Sequence, residues 1–287
     1  MLKFRIENGE PKIRIFITSP HCYLDHWALR LLSEEEELGT RFSKALKSLN
    51  GTLSISWLNL VEFTAVSDPR QIEIAENFID NIRETLFFIE LNPWVVIKTE
   101  EEAVKSAKVF GEVADTIILN AFARMERTGL DPISCKGLFS QLPKNTPHIE
   151  GIADIFIRQI EKMRGQYLSK PKLKKLVNRP IQRSIYPPTH LLAGELLKPL
   201  IKNQRQKITS NDAADFMHAI VPLSYCDYVA LDSHWASEAE KAANRLIKAG
   251  QKEKVARVFK KESGIIELIG ILESLNIRLT RENSTGS

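Results

Sequence analysis

Apolar and polar positions alternate in several short stretches of the chain. Residues 12–18 (KIRIFIT) alternate between basic and apolar, residues 53–57 alternate between apolar and serine, and residues 228–231 form a continuous apolar run. These patterns predict strands, the last of them buried. Residues 21–24 add another short extended stretch, which ends at Asp25.

Helical patterns follow these strands near both ends of the chain. They begin near Trp27, Leu58 and Trp235, with a further helix capped by Ser210 or Asn211. The order strand, helix, strand, helix predicts an α/β fold with a parallel sheet between helices. At the end of the chain, residues 265–275 predict a helix, residues 277–279 a last edge strand, and residues 282–287 a disordered tail.

The middle of the chain is predominantly helical in pattern. Apolar residues recur at helical spacing at Ile74, Phe78, Ile82 and Leu86, and again at Val104, Phe110, Val113 and Ile117; residues 151–164 and 189–201 are also helical in pattern. Lys170-Pro171 and residues 185–188 are typical of linkers. We therefore predict one domain from residues 1–66 and 208–287, interrupted by a large, mostly helical insertion at 67–207.

Composition is that of a globular protein rather than a membrane or disulfide-rich one. The chain has 287 residues, of which 43% are hydrophobic and 26% charged. It contains no apolar run near the roughly 18 residues that span a bilayer and no secretory signal pattern, so a cytoplasmic location is expected. The three cysteines are widely spaced, which favours buried thiols over disulfides or zinc: Cys22, Cys135 and Cys226.

The net charge of +4 is modest, but the basic residues are clustered. Residues 158–183 are rich in Lys and Arg and contain a single acidic residue, Glu161, and a second cluster comprises Lys198, Lys202, Arg205 and Lys207. Such a stripe suits the phosphates of a nucleic acid. A solvated linker or helix face is the equally weighted alternative.

Four carboxylates lie near the predicted strand ends or on a nearby helix, where they could bind a metal ion together. Asp25 and Asp232 lie just beyond predicted strands, and Glu62 lies on the first turn of a helix after a third strand. Asp215 lies on a helix, with Asp212 and His218 one turn to either side. Ligands of open parallel sheets bind at the carboxyl edge of the strands, and clustered carboxylates repel one another unless a cation is present. Their oxygens suit Mg²⁺ or Mn²⁺.

Each acid also has an ordinary alternative. Asp25 is a plausible helix cap, Glu62 a first-turn glutamate favoured by the helix dipole, and Asp232 a turn residue. Asp212 and Asp227 are candidates for an outer shell around the metal, although solvated turn residues are the favoured interpretation. His218 is a candidate to orient a carboxylate or contact phosphate, with a core position as the more common role.

Four stretches of the chain resemble the motifs of PIN-like (PilT N-terminus) nucleases. They are residues 23–32 (YLDHWALRLL), 56–62 (SWLNLVE), 211–219 (NDAADFMHA) and 226–232 (CDYVALD). The resemblance covers roughly residues 12–66 and 208–282. It differs from the family at His26, where members commonly have a small hydroxyl residue, and in the long segment between Glu62 and Asp215.

The resemblance implies a metal-dependent endoribonuclease, often a toxin or an RNA-processing enzyme. Asp25, Asp215 and Asp232 would hold Mg²⁺ or Mn²⁺, and Glu62 would complete the metal shell or orient the attacking water. RNA is the expected substrate, and the helical insertion is expected to select it or to bind a protein partner such as an antitoxin. Two alternatives stay open: a catalytically silent PIN-like scaffold for a protein partner, and a structure-specific DNA nuclease.

Overall fold

The computed structural model describes residues 2–7, 10–65, 68–106, 113–120, 135–141, 150–179, 188–251 and 255–285. Strands β1 (Leu2–Glu7) and β2 (Glu10–Ile15) pair antiparallel as a hairpin. The main sheet has five parallel strands: β3 (His21–Leu24), β4 (Thr52–Ile55), β5 (Leu86–Phe88), β6 (Tyr228–Ala230) and β7 (Arg257–Phe259). The predicted α/β fold with a parallel sheet is confirmed.

Helices follow the strands of the main sheet. In chain order they are α1 (His26–Glu34), α2 (Glu36–Ser48), α3 (Trp57–Ala65), α4 (Pro69–Asn81), α5 (Pro93–Lys105), α6 (Leu138–Gln141), α7 (Glu150–Ser169), α8 (Pro171–Asn178), α9 (Pro188–Lys202), α10 (Ser210–Tyr225), α11 (Ser233–Lys248) and α12 (Lys261–Thr285). A 3-10 turn at Arg83–Thr85 precedes β5, and residues 116–120 are also helical. Among the described helices, none is both long and apolar enough to cross a membrane.

The strand order β5-β4-β3-β6-β7 places the first strand of the main sheet in its middle. The chain builds outward from β3 through β4 to β5, and then returns to the other side of β3 with β6 and β7. The direction of building therefore reverses between β3 and β6. In open parallel sheets a crevice forms at such a reversal, outside the carboxyl ends of the strands.

Strands β3 and β4 are buried at every residue, as expected for central parallel strands covered by helices. Ser54 of β4 and Ser56, the residue after β4, are both fully buried and do not face solvent. Ser54 lies with its Oγ 2.5 Å from Nε2 of His21, and Ser56 donates from its Oγ to Oδ1 of Asn59 at 2.8 Å. Internal hydrogen bonds satisfy both hydroxyls.

Several sequence-based boundaries need correction near the two ends of the chain. The stretch 12–18 does not form a strand of the main sheet, because β2 ends at Ile15 and pairs only with β1. Thr209, not Ser210 or Asn211, caps α10. Residues 277–279 continue α12, which reaches Thr285, so the predicted edge strand and the predicted disorder at 282–285 are wrong. The last strand in the chain is β7, which forms one edge of the sheet. Residues 286–287 lie outside the described part.

The predicted helical insertion at 67–207 also contributes to the sheet. Leu86 lies in β5, which pairs parallel with β4, and does not continue helix α4. Val113 is not helical either: its carbonyl accepts the N–H of Glu90 at 3.0 Å, and Ala114 forms a bridge with Ile89. Phe110 lies outside the described residues.

Each of the two predicted linkers in this region ends at a proline that begins a helix. Lys170 is only a break between α7 and α8, because Pro171 is the first residue of α8, where its missing N–H costs nothing. Residues 185–187 lie outside the described part of the chain, and Pro188 begins α9. Helices were predicted correctly at 151–164 and 189–201.

The helices of residues 67–207 share a hydrophobic core with the rest of the chain. Phe156 of α7 packs against Phe216 of α10 with ring centroids 4.6 Å apart, and Phe216 contacts Trp235 of α11 at 5.6 Å. Trp235 is 2% exposed, which places it in the core. The three cysteines are buried free thiols, as predicted.

One residue of the basic stripe serves the fold rather than the surface. Arg164 of α7 is 3% exposed, and its guanidinium donates to the carbonyls of Leu200, Asn203 and Gln206 at 2.7–2.9 Å. It also pairs with Glu161 at 2.8 Å. Arg164 thereby satisfies the last turn of α9 and the loop that leads to α10.

We expect Arg164→Met to lower the free energy of unfolding by about 3 kcal/mol, because buried carbonyls lose their donors. The matched control is Arg158→Met, an exposed arginine on the same helix, which should change stability by less than about 0.5 kcal/mol. Urea unfolding of the two variants measures both values. Equal, small effects would contradict the structural role of Arg164.

Candidate active site

The carboxyl ends of β3 and β6 lie side by side at the reversal point. The N–H of Asp25 donates to the carbonyl of Ala230 at 3.2 Å, which extends the β3–β6 pairing by one residue. Asn59 donates from Nδ2 to the carbonyl of Leu24 at 3.2 Å, which fixes the start of α3 against the end of β3. The residues that follow the strands are thereby held at one edge of the sheet.

Asp25 and Asp232 both cap helices at this edge. Asp25 accepts the N–H of Ala28 on Oδ1 at 3.3 Å, and Asp232 accepts the N–H groups of His234 and Trp235 on Oδ1 at 2.7 and 3.3 Å. The capping alternative for Asp25 is therefore confirmed, and Asp232 is a cap as well. Within the described residues, Oδ2 of each aspartate has no hydrogen-bond partner, so capping leaves one oxygen of each available.

Asp25 is only 7% exposed, and its ionised form is disfavoured. Burial raises the pKa of Asp25 to about 8. The carboxylates of Glu62 and Asp232 add to this rise, whereas His218 and the Ala28 N–H oppose it. Asp25 is thus largely protonated at neutral pH in the absence of a cation.

Glu62 is held by a buried histidine. It lies in the second turn of α3, not in the first as predicted, since α3 begins at Trp57. Its Oε2 lies 3.0 Å from Nε2 of His218, and Nδ1 of His218 is hydrogen-bonded to the hydroxyl of Tyr23. Burial lowers the pKa of His218, but the carboxylates of Glu62, Asp25 and Asp215 outweigh burial and raise it above its ordinary value.

Asp215 lies on α10, three residues before His218 and therefore near the same face. Burial raises the pKa of Asp215 to about 6, with further contributions from Asp232 and Glu62. Within the described part of the chain it has neither a hydrogen-bond partner nor an ion-pair partner. An acid without a structural role, close enough to two other acids to shift its titration, is a functional candidate.

Asp227 lies at the opposite end of the sheet. It precedes β6, and its Oδ2 accepts from Ser19 Oγ at 2.7 Å and from the N–H of His21 at 2.9 Å. Because it lies at the amino ends of β3 and β6, an outer-shell role for Asp227 is wrong.

Asp212 has a capping role. Its Oδ2 accepts from the N–H and the hydroxyl of Thr209 at 2.8 and 2.7 Å, and Thr209 in turn accepts the N–H of Asp212. This capping box begins α10. The sequence had offered an outer-shell carboxylate or a solvated turn residue, and neither describes this role. Asp212 positions the helix that carries Asp215.

Three residues of this edge were missed in the sequence: Tyr23, Ser56 and Asn59. Tyr23 precedes Asp25 by two positions and so shares its face of the strand, a signal that was available. Ser56 donates to Asn59, which in turn ties α3 to β3. His26 packs edge-on against Phe63 with centroids 4.7 Å apart.

The donor chemistry of this edge fits a hard divalent cation, because Asp25, Asp215 and Asp232 offer carboxylate oxygens. Their side chains do not converge closely enough to form a complete metal site. Among the described residues, no group of three or more His, Cys, Asp or Glu side chains is placed so that it could hold a metal ion. The ion pair with His218 occupies one oxygen of Glu62.

Comparison of the chain with protein-family models, curated proteins and solved structures finds no match. The parallel sheet between helices is compatible with the layout of a PIN-like domain. Any assignment of activity therefore depends on the chemistry of this edge.

The buried carboxyl of Asp25 predicts a pH-dependent stability. Below about pH 4 this carboxyl is protonated in both the folded and the unfolded chain; between about pH 4 and pH 8 only the unfolded chain ionises it. The stability that Asp25 contributes is therefore lost as pH rises through this window. Asp25→Asn, which keeps a capping oxygen, should gain stability relative to wild type, on the order of a few kcal/mol from pH 4 to pH 8.

Urea unfolding of wild type, Asp25→Asn and the exposed-residue control Asp154→Asn at intervals from pH 4 to pH 9 measures this difference. The control should follow the wild type throughout. If Asp25→Asn also runs parallel to the wild type, Asp25 titrates as an ordinary solvent-exposed aspartate.

Proposed function

We propose that the chain is a metal-dependent endoribonuclease whose active site is the carboxyl edge of β3 and β6. The observation that carries the proposal is the electrostatic influence among acids from separate segments: burial is the main cause of the raised pKa values of Asp25 and Asp215, and the carboxylates of Glu62 and Asp232 raise both values further. Repulsion among Asp25, Glu62, Asp215 and Asp232 destabilises the fold. Such a cost in stability is typical of a functional site.

Each acid has a distinct part in the proposal. Asp25 and Asp232, fixed as helix caps, would each offer Oδ2 to Mg²⁺ or Mn²⁺, and Asp215 would offer a carboxylate free of other bonds. A bound cation of this kind polarises a phosphoryl oxygen and lowers the pKa of a bound water. Glu62, oriented by His218 and Tyr23, would complete the metal shell or position the attacking water.

The basic residues support a polyanionic substrate. The basic stripe continues from α7 into α8, where four lysines are exposed on or just before the helix: Lys170, Lys172, Lys174 and Lys175. Arg164 is excluded from this surface because it is buried in carbonyl contacts. The exposed lysines can neutralise phosphates and release counterions, which gives affinity without sequence preference.

The Glu62–His218 ion pair favours a second candidate, a catalytically silent scaffold of PIN-like type. If His218 is the permanent counter-ion of Glu62, the edge needs no metal and the acids are partly compensated. In that case the helices of residues 67–207 would serve a protein partner, such as an antitoxin. A DNA nuclease with the same acids is the third reading, and it differs from the first only in substrate.

The first test is cleavage of labelled single-stranded RNA and of flap-containing DNA. We expect Mn²⁺- or Mg²⁺-dependent cleavage of RNA that chelator abolishes and that Asp215→Asn slows by roughly 100-fold. Asp215→Asn removes charge without removing a hydrogen bond, and Asp154→Asn, an exposed acid on α7, is the control.

Cleavage that persists in chelator would overturn the metal requirement. Cleavage of DNA alone would transfer the proposal to the DNA nuclease. No cleavage of either substrate, by a protein that melts cooperatively, would favour the silent scaffold.

The second test is thermal unfolding with chelator and with Mn²⁺. In chelator, relief of repulsion should make Asp215→Asn melt at a higher temperature than the wild type. Each 1 kcal/mol added to the free energy of unfolding corresponds to a rise of about 2–4 °C. Mn²⁺ should stabilise the wild type by mass action and the variant much less. A wild type that does not respond to Mn²⁺, together with an unstabilised variant, shows that these acids share no metal site.

A further inference from the structure

A small apolar cavity lies between α5, α7 and α10. Its volume is about 150 Å³. Its lining is apolar apart from one amide: Asn92, Pro93, Trp94, Ile155, Phe156 and Met217. This volume is below the roughly 300 Å³ at which sites for drug-sized molecules begin, so it admits little more than one ring system.

The indole of Trp94 is a partly exposed and well-supported wall of this cavity. Its ring packs against Phe156 with centroids 6.2 Å apart and against Phe216 at 6.4 Å. Asn92 accepts the backbone N–H of Trp94 on Oδ1 at 3.1 Å, which fixes the start of α5. A half-buried aromatic ring held from behind is the platform on which nucleobases stack.

Basic side chains lie next to the rim of the cavity. Ile155 is 45% exposed at the rim, and the exposed side chains of Arg158 and Lys162 follow it three and seven positions along α7, on the same helix face. The neighbouring Glu161 is engaged by Arg164. A polyanion that runs along this face toward α8 therefore passes the mouth of the cavity.

We propose that the cavity binds one nucleobase of a single-stranded nucleic acid whose phosphates contact Arg158 and Lys162. The inference rests on the proposed nuclease function for its ligand, but base binding needs no metal. Met217 is rotated by about 200° from Asp215 around α10, so the cavity lies on the other side of that helix from Asp215, roughly 10 Å away. The bound base is thus a few nucleotides from the scissile phosphate, and fixes where along the strand cleavage occurs.

The test is fluorescence anisotropy of labelled RNA and DNA single strands with the full chain in chelator, over a range of salt concentrations. Trp94→Ala should weaken binding about tenfold at every salt concentration, because stacking is lost while phosphate contacts remain. Trp94→Phe should restore most of the affinity. The double variant Arg158→Glu, Lys162→Glu should instead flatten the salt dependence, as should the triple variant Lys172→Glu, Lys174→Glu, Lys175→Glu farther along the strand.

An oligonucleotide of sugar and phosphate alone separates stacking from a folding defect, because Trp94→Ala should bind it as wild type does. Ile155→Glu places a repelling charge at the exposed rim and should weaken binding without disturbing the core. Asp154→Asn, which removes a negative charge beside it, is the opposite change and should not weaken binding. In Mn²⁺, Trp94→Ala should cleave at more dispersed positions than the wild type.

Equal affinity of wild type and Trp94→Ala for base-containing strands overturns the inference, even if metal-dependent cleavage stands. So does equal weakening for strands with and without bases. A change in sedimentation of Trp94→Ala with unchanged affinity would show that a second copy of the chain occupies the cavity instead. A wild type that binds no strand also overturns it, whereas the proposed nuclease is judged separately by cleavage and by the Mn²⁺ melts.

Discussion

The hydrogen bond from the Asp25 N–H to the Ala230 carbonyl continues the pairing of β3 and β6 beyond the last residue of β3. The rest of the candidate site depends on this contact, because it sets where the chain leaves the sheet on either side of the reversal point. One residue earlier or later, the carboxyl of Asp25 would face the opposite side of its strand. Asp232 follows β6 and starts α11 in the same way, so the two acids are neighbours by topology.

Placing a carboxyl at the end of a central, fully covered strand removes it from water. Three acids of this edge are partly or fully removed from water, and each is compensated in a different way. Asp25 remains largely protonated at neutral pH, Asp232 uses one oxygen on two backbone N–H groups, and Glu62 is paired with the buried imidazole of His218. Only Asp215 lacks a partner among the described residues, and it is the acid whose replacement tests function most cleanly.

The positions of Asp25 and Asp232 were predictable because strand ends are local features: a short apolar run followed by an acid. The pairing of Glu62 with His218 was not, since 156 residues separate them and only the tertiary fold brings them together. The outer-shell role predicted for Asp227 was wrong because Asp227 precedes β6 and Asp232 follows it. The two acids therefore lie at opposite ends of the strand. The spacing of Thr209 and Asp212 did contain a capping signal.

Helical spacing misled in the middle of the chain. Apolar residues spaced by four predicted a helix that continues to Leu86. The continuous apolar run from Leu86 to Ile89 is instead the pattern of a buried strand. The 3-10 turn before it, at Arg83–Thr85, ends the helical path. Short buried strands among helices are ambiguous in periodicity alone, and here the sheet pairing with β4 decides.

The guanidinium of Arg164 contacts three carbonyls along one turn and one loop, and Gln206 of that loop donates to Asp212, the partner of Thr209 in the capping box of α10. The spacing between Leu200 and Thr209 is therefore a fixed dimension of the molecule. An inserted or deleted residue in this loop would move the carbonyls out of hydrogen-bonding distance of the rigid, planar guanidinium of Arg164. Relatives of this chain that keep an arginine at this point should keep the loop at its present length, even where the outer, lysine-bearing face of the same helices varies freely.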